Sequence, residues 1–182
     1  EADSVAAEVS ATFTNAQWLD REALGEFAAA CDVVTYEFEN VPVEPLSAIP
    51  PDKLAPGTRA LEVAQDRINE KKFVENLGGK PAPFAAIDHD SDLAYAIDRV
   101  GTPGILKTRR DGYDGKGQWR IASGREAEAL KLPDAPAVYE AFVEFFAEFS
   151  VILVRGKGGE VRFWDSAENV HTDGILATST IP

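Results

Sequence analysis

Two short strand-forming runs, Gly104-Ile105-Leu106-Lys107 and Gln118-Trp119-Arg120-Ile121, are separated by ten residues dense in glycine and charge. The pattern predicts two strands joined by a glycine-rich loop. From Lys107 to Gln118 the chain reads Lys-Thr-Arg-Arg-Asp-Gly-Tyr-Asp-Gly-Lys-Gly-Gln, with three glycines and four basic residues in twelve positions. Glycine lets backbone N–H groups approach oxygen atoms closely, and Lys or Arg neutralises their charge, so the string suits a phosphate cradle. It is not a Walker loop. Gly112 and Gly117 have that spacing, but Gln118-Trp119 stands where Lys-Ser/Thr is required. It is not a dinucleotide fingerprint either, because Gly112, Gly115 and Gly117 miss the G-x-G-x-x-G spacing and no helix follows. The same residues also fit an ordinary glycine-rich hairpin turn with solvated charges.

Upstream, Leu19, Ala23, Leu24, Phe27 and Cys31 recur at helical spacing, with Asp20 as a candidate N-cap. Val34, Tyr36 and Phe38 then alternate with Thr35, Glu37 and Glu39, which predicts a strand over 32–40. Helix followed by β-branched strand is half of an α/β layer, so the chain is expected to start inside a domain. Prolines at 42, 45, 50, 51 and 56 with Gly57 predict a boundary near residue 57. Helix is expected over 58–77, stopped by Gly78-Gly79 and Pro81, and again from a Ser91 cap to Gly101. Residues 149–155 and 161–165 read as a hairpin around Gly156-Lys157-Gly158-Gly159. The chain stops at Ile181-Pro182 and is expected to be cut at both ends.

Composition narrows the function. Eighteen basic against thirty-one acidic residues give a net charge of −13, which argues against a nucleic-acid backbone as partner. A small basic pocket can still hold a phosphate in an acidic protein. No run of 18 apolar residues predicts a membrane-spanning helix, and Glu1-Ala2-Asp3-Ser4 does not open like a signal peptide. One cysteine, Cys31, fits a reducing compartment and, with two separated histidines, excludes a Cys/His zinc cluster.

Three further segments carry candidate chemistry. Tyr139 to Glu148 is extended and apolar: it could seat a flat base, with Glu148, eight residues after Glu140, accepting ribose hydroxyls. The blander reading is a core strand with two surface glutamates. Glu168, Asn169, His171 and Asp173 could ligate a metal or form an Asx-rich turn before a strand, and the turn is favoured. Glu37 and Glu39 would share one strand face near its C-terminal end, where ligands of open α/β sheets gather, or would simply be solvated.

Taken together, Asp32 to Pro42 (with Tyr-Glu-Phe-Glu-Asn inside it), Gln65-Asp66-Arg67, the Gly112 to Gln118 loop, and Glu168-Asn169-Val170-His171 to Ile175-Leu176 carry a family resemblance. The chain resembles the N5-carboxyaminoimidazole ribonucleotide synthases, ATP-grasp ligases of purine biosynthesis, over nearly its whole length and in the right motif order. The fold this implies is α/β: the C-terminal part of a Rossmann-like pre-ATP-grasp domain over 1–57, then an incomplete ATP-grasp domain over 58–182 with its lid subdomain at about 81–140. The implied reaction joins ATP, bicarbonate and 5-aminoimidazole ribonucleotide through carboxyphosphate.

By this resemblance Arg67 and Lys107 contact ATP phosphates, and Gly112, Tyr113, Asp114, Gly115, Lys116, Gly117 and Gln118 form the loop closing over them. Glu140 and Val143 meet the adenine edge, Glu148 the ribose, and His171 the phosphate and bicarbonate end. Lys107 and His171 are the implied catalytic pair. Glu37, Tyr113, Asp114 and Lys116 face the aminoimidazole nucleotide. The resemblance also implies magnesium, a cytoplasmic homodimer, and small-molecule partners without nucleic acid or membrane. The metal ligands, acidic residues with an Asn, are expected beyond this chain's C-terminal end and none within it, so the fragment is expected to have little activity alone. Two other readings remain open: another ATP-grasp carboxylase or formyl-transferring relative, and a non-catalytic nucleotide-binding module.

Overall fold

A computed structural model describes residues 4–112, 116–172 and 174–181. It divides into two compact units, one running to Lys80 and one from Pro81. No helix among the described residues is long and apolar enough to cross a membrane.

The first unit is built from α1 (Val5–Val9), α2 (Arg21–Ala29), a 3₁₀ turn over Glu44–Ala48, α3 (Thr58–Ala64) and α4 (Arg67–Asn76). Asp20 caps α2 as expected, its carboxylate accepting from the Ala23 N–H at 3.0 Å. At the other end Lys53 Nζ donates to the carbonyls of Ala28 (2.8 Å) and Cys31 (2.7 Å), in and just past the last turn of α2. Ala28, Val34, Val41, Leu46, Ile49, Leu54 and Leu61 form the core.

Two expectations fail in this unit. The strand predicted over 32–40 is reduced to one parallel bridge, Val34 with Leu54, where the Val34 N–H donates to the Lys53 carbonyl at 2.8 Å. Alternation supplies faces, but a strand also needs a hydrogen-bonding neighbour along its length, and the described residues provide one only at Val34. The helix predicted over 58–77 is two helices. Asp66 leaves helical geometry to cap α4, its Oδ1 accepting from the N–H groups of Ile68 (2.9 Å) and Asn69 (3.4 Å). The predicted stop holds, since Gly78 takes the left-handed conformation at φ 83°.

The second unit starts with β1 (Phe84–Ile87), α5 (Asp92–Val100), β2 (Gly104–Thr108), β3 (Gln118–Ile121), α6 (Gly124–Ala129) and β4 (Ala137–Ala141). The four strands form one antiparallel sheet in the order β1-β4-β2-β3. Both strands flanking the glycine-rich loop appear where the sequence placed them. α5 also matches, but Ser91 makes no side-chain cap. Asp92, the first helical residue, instead reaches back to the turn ahead of the helix, its Oδ2 accepting from the N–H groups of His89 (2.8 Å) and Asp88 (3.0 Å), which hold the carboxyl below its usual pKa.

Beyond β4 lie β5 (Glu148–Ser150), β6 (Leu153–Arg155), β7 (Val161–Phe163), β8 (Ala167–Thr172) and β9 (Ile175–Thr180). β6 and β7 form the predicted hairpin, yet residues 149–155 are not one strand, because β5 leaves to pair with β8 in the sheet β5-β8-β9. The segment from Glu168 to Leu176, expected as a turn before a strand, is itself strand, turn and strand, with Gly174 at φ 80°.

Candidate functional site

Strand alternation divides the four-stranded sheet into two faces with different chemistry. Leu106, Ile121, Ala137, Tyr139 and Ile87 point to the side covered by α5 and α6, where they pack with Leu93, Ala96 and Ala127. The Tyr139 hydroxyl, whose pKa burial pushes up, donates to the Gly101 carbonyl at 2.8 Å. The intervening residues must take the other face. Register puts Lys107 between Gln118 on β3 and Val138 on β4, and Ile105 between Arg120 and Glu140. Lys107, Gln118 and Glu140, singled out separately in the sequence, therefore share one face.

On that face Lys107 Nζ lies 3.0 Å from Glu140 Oε2, the side chains being 22% and 8% exposed. A carboxylate buried to this degree is costly unless matched by a cation, and Lys107 supplies it across strands. This corrects the reading of Glu140 as a surface glutamate. Gly104 is required by the same packing, since a Cβ there would run into the Tyr139 ring and the Glu140 carbonyl.

At the loop, Gly117 sits at φ 67° with its carbonyl accepting from the Thr108 N–H at 2.9 Å, and a Cβ would meet Thr108 Oγ1 at 2.7 Å. Gly112, Lys116 and Gln118 are described, whereas Tyr113, Asp114 and Gly115 lie outside the described residues.

A second pair joins β5 to β8. His171 Nδ1 is 3.3 Å from Glu148 Oε1, each side chain 39% exposed. Asn169, which faces Glu148 in register, bonds to Ser150 and accepts from Ser179 Oγ at 2.9 Å, tying β5, β8 and β9 together. Asn169 is thus occupied as a strand tie. No group of three His, Cys, Asp or Glu able to hold a metal occurs among the described residues; Asp173 lies outside them. Val143 is half-exposed just past β4.

Glu37 and Arg67 belong to the first unit. Arg67 opens α4 directly after the Asp66 cap. Glu37 is exposed and borders a largely apolar cavity of about 500 Å³ with Tyr36, Phe38, Trp18 and Phe13; with no strand at 35–38, Glu37 and Glu39 do not share a strand face. What holds this segment is Gln65, missed as a positioning residue in the sequence. Its buried Nε2 donates to the carbonyls of Glu39 and Val41, both at 2.7 Å. The available signal was its place in the Gln65-Asp66-Arg67 string that carries the resemblance.

Comparison with known proteins also gives two segments, with the change falling between residues 65 and 72 and so ahead of the structural division after Lys80. The ATP-grasp domain model matches residues 72–182, and the ribonucleotide synthetase preATP-grasp domain model matches residues 1–65. The chain is 48% identical to N5-carboxyaminoimidazole ribonucleotide synthase of Brucella melitensis, covering 100% of this chain and 52% of that one. It superposes on the ADP complex of an N5-carboxyaminoimidazole ribonucleotide synthetase with a TM-score of 0.85 at 33% identity, covering 97% and 48%. The Aspergillus clavatus N5-carboxyaminoimidazole synthase bound to ADP and 5-aminoimidazole ribonucleotide gives a TM-score of 0.76 at 28% identity, covering 94% and 46%. The chain spans about half the length of the curated relatives it matches.

Proposed function

The chain belongs to the ATP-grasp family, with a pre-ATP-grasp segment ahead of that domain, and on that premise we propose that it serves an ATP-dependent carbon–nitrogen ligase that carboxylates 5-aminoimidazole ribonucleotide. A bicarbonate oxygen attacks the γ-phosphorus of ATP, the bond to the β-phosphate oxygen breaks, and ADP leaves. The substrate amine then attacks the carboxyl carbon of carboxyphosphate, and phosphate departs as the C–N bond forms. Such chemistry depends on positioning and charge neutralisation more than on covalent help.

The observation that carries this reading is the Lys107–Glu140 pair on the sheet face turned away from α5 and α6. It supports a site with a cation toward the loop, for phosphate, and a carboxylate further along the sheet, for the amino edge of adenine. Val143 continues that edge. Glu148 is assigned to the ribose and His171 to the phosphate and bicarbonate end, and their pairing at 3.3 Å supports a shared role. Arg67 is assigned to phosphate. Gly112 to Gln118 is assigned to the loop that shields carboxyphosphate from water. Glu37, Tyr113, Asp114 and Lys116 are assigned to the aminoimidazole nucleotide. The division into 1–57 and 58–182, with the lid at about 81–140, belongs to the same proposal, as do a cytoplasmic homodimer and magnesium. No magnesium ligand is assigned among the described residues, which offer no cluster fit to hold it.

In the protein carrying this sequence, ADP release should require bicarbonate and 5-aminoimidazole ribonucleotide together. Lys107→Ala should weaken ATP binding at least about ten-fold, the loss of one charge-assisted contact. ATP affinity unchanged in that variant would remove the site assignment.

A further inference from the structure

One cation on the ligand-facing side of the sheet has no part in the proposed reaction. Arg120 stands on β3 two residues beyond Gln118, and its guanidinium carbon lies 4.4 Å from the centre of the Phe142 ring. Register makes the contact diagonal: Arg120 faces Ile105 on β2, Ile105 faces Glu140 on β4, and Phe142 follows two residues later. The stack therefore reaches from the edge strand that leads out of the glycine-rich loop, over β2, to the far end of β4.

The backbone around Phe142 is fastened as well. The Ala141 N–H donates to the Pro83 carbonyl at 2.9 Å and the Phe142 N–H to the Pro103 carbonyl at 3.0 Å. These bonds consume the amides of 141 and 142. The side chain of Val143, immediately beyond, is 49% exposed. A flat heterocycle meeting this edge thus depends on how firmly residue 142 is held, and Arg120 is the group that holds its ring. Arg120 lies two register pairs further from the loop than Lys107, in the row of Glu140, so its effect falls on the base end and not on the phosphates.

We infer that Arg120 is a positioning residue for the nucleobase, acting through its stack on Phe142. The inference rests on the nucleotide reading above. Its test separates base from phosphate by measuring binding of ATP and of inorganic tripolyphosphate to the protein carrying this sequence, by calorimetry. Arg120→Ala should weaken ATP about three-fold, as expected for an exposed cation–π contact, and leave tripolyphosphate unchanged. Phe142→Leu should do the same, and Phe142→Tyr, which keeps the ring, should restore ATP binding. Adding Phe142→Leu to Arg120→Ala should cost nothing further. Equal losses for both ligands, or ATP binding unaltered in Arg120→Ala, would overturn the inference. If Arg120→Ala fails to fold, Arg120→Gln, which keeps the stem without the cation, takes its place with the same expected loss for ATP alone and the same overturning results. Lys107→Ala is the reference: it should weaken both ligands, and if it weakens neither, the nucleotide reading itself falls and this inference goes with it.

Discussion

The four-stranded and the three-stranded sheets of the second unit present their candidate residues in different settings. In β1-β4-β2-β3 one face packs under α5 and α6, and its Leu106, Tyr139 and Ala137 are at most 1% exposed. In β5-β8-β9, by contrast, Phe149, Val170, Ile175 and Leu176 are each more than half exposed. A sheet face becomes a platform only when its opposite face is anchored. The anchored sheet carries a tightly enclosed ion pair, Lys107 with Glu140; the open one carries a looser, wetter pair, His171 with Glu148. The lesson is that ligand-type residues at similar sequence signals can differ in rigidity because of what packs behind them.

The most forceful test of this contrast is core truncation. Tyr139→Ala should destabilise the unit by about 3–5 kcal/mol in denaturant unfolding, the usual cost of emptying an aromatic core site. Phe149→Ala should stay within about 0.5 kcal/mol, as for surface positions. Equal costs would mean that the open sheet is covered in solution.

Pair coupling comes next. A double-mutant cycle on Lys107 and Glu140 should return about 2 kcal/mol, because a largely buried carboxylate loses its cation in one single variant. The Glu148–His171 cycle should return below about 1 kcal/mol, the range of exposed ion pairs. Comparable values would erase the distinction between the two sites.

The smallest expected effect concerns α5, the helix behind the anchored sheet. The Asp92 carboxyl has its pKa lowered by the His89 and Asp88 N–H groups. Its contribution is therefore present above the ordinary carboxylate value of about 3.9 and is lost as pH falls through the lower folded value. Acid titration of stability should show this loss in the parent chain and a flatter profile in Asp92→Asn. Identical profiles would show that these bonds to the preceding turn do not contribute to stability.

Local signals in the chain were sufficient for much of this architecture. The Asp20 cap, the stop at Gly78, α5, and the strands on either side of the glycine-rich loop all depend on groups within a few residues of one another, so composition and spacing determine them. Lys107, Gln118, Glu140, Glu148 and His171 entered as candidates through the family resemblance, since residue type alone favoured surface glutamates and, at His171, a turn. Pairing across the chain was not legible. That Glu140 is buried against a lysine 33 positions away, that Val34 finds only Leu54, that Asp66 breaks a helix to cap the next, and that Arg120 rests on Phe142 are all settled by which distant segments meet. Sequence periodicity states which faces an element has; only the assembled sheet decides what stands against each face, since hydrogen bonding and desolvation act between neighbours in space.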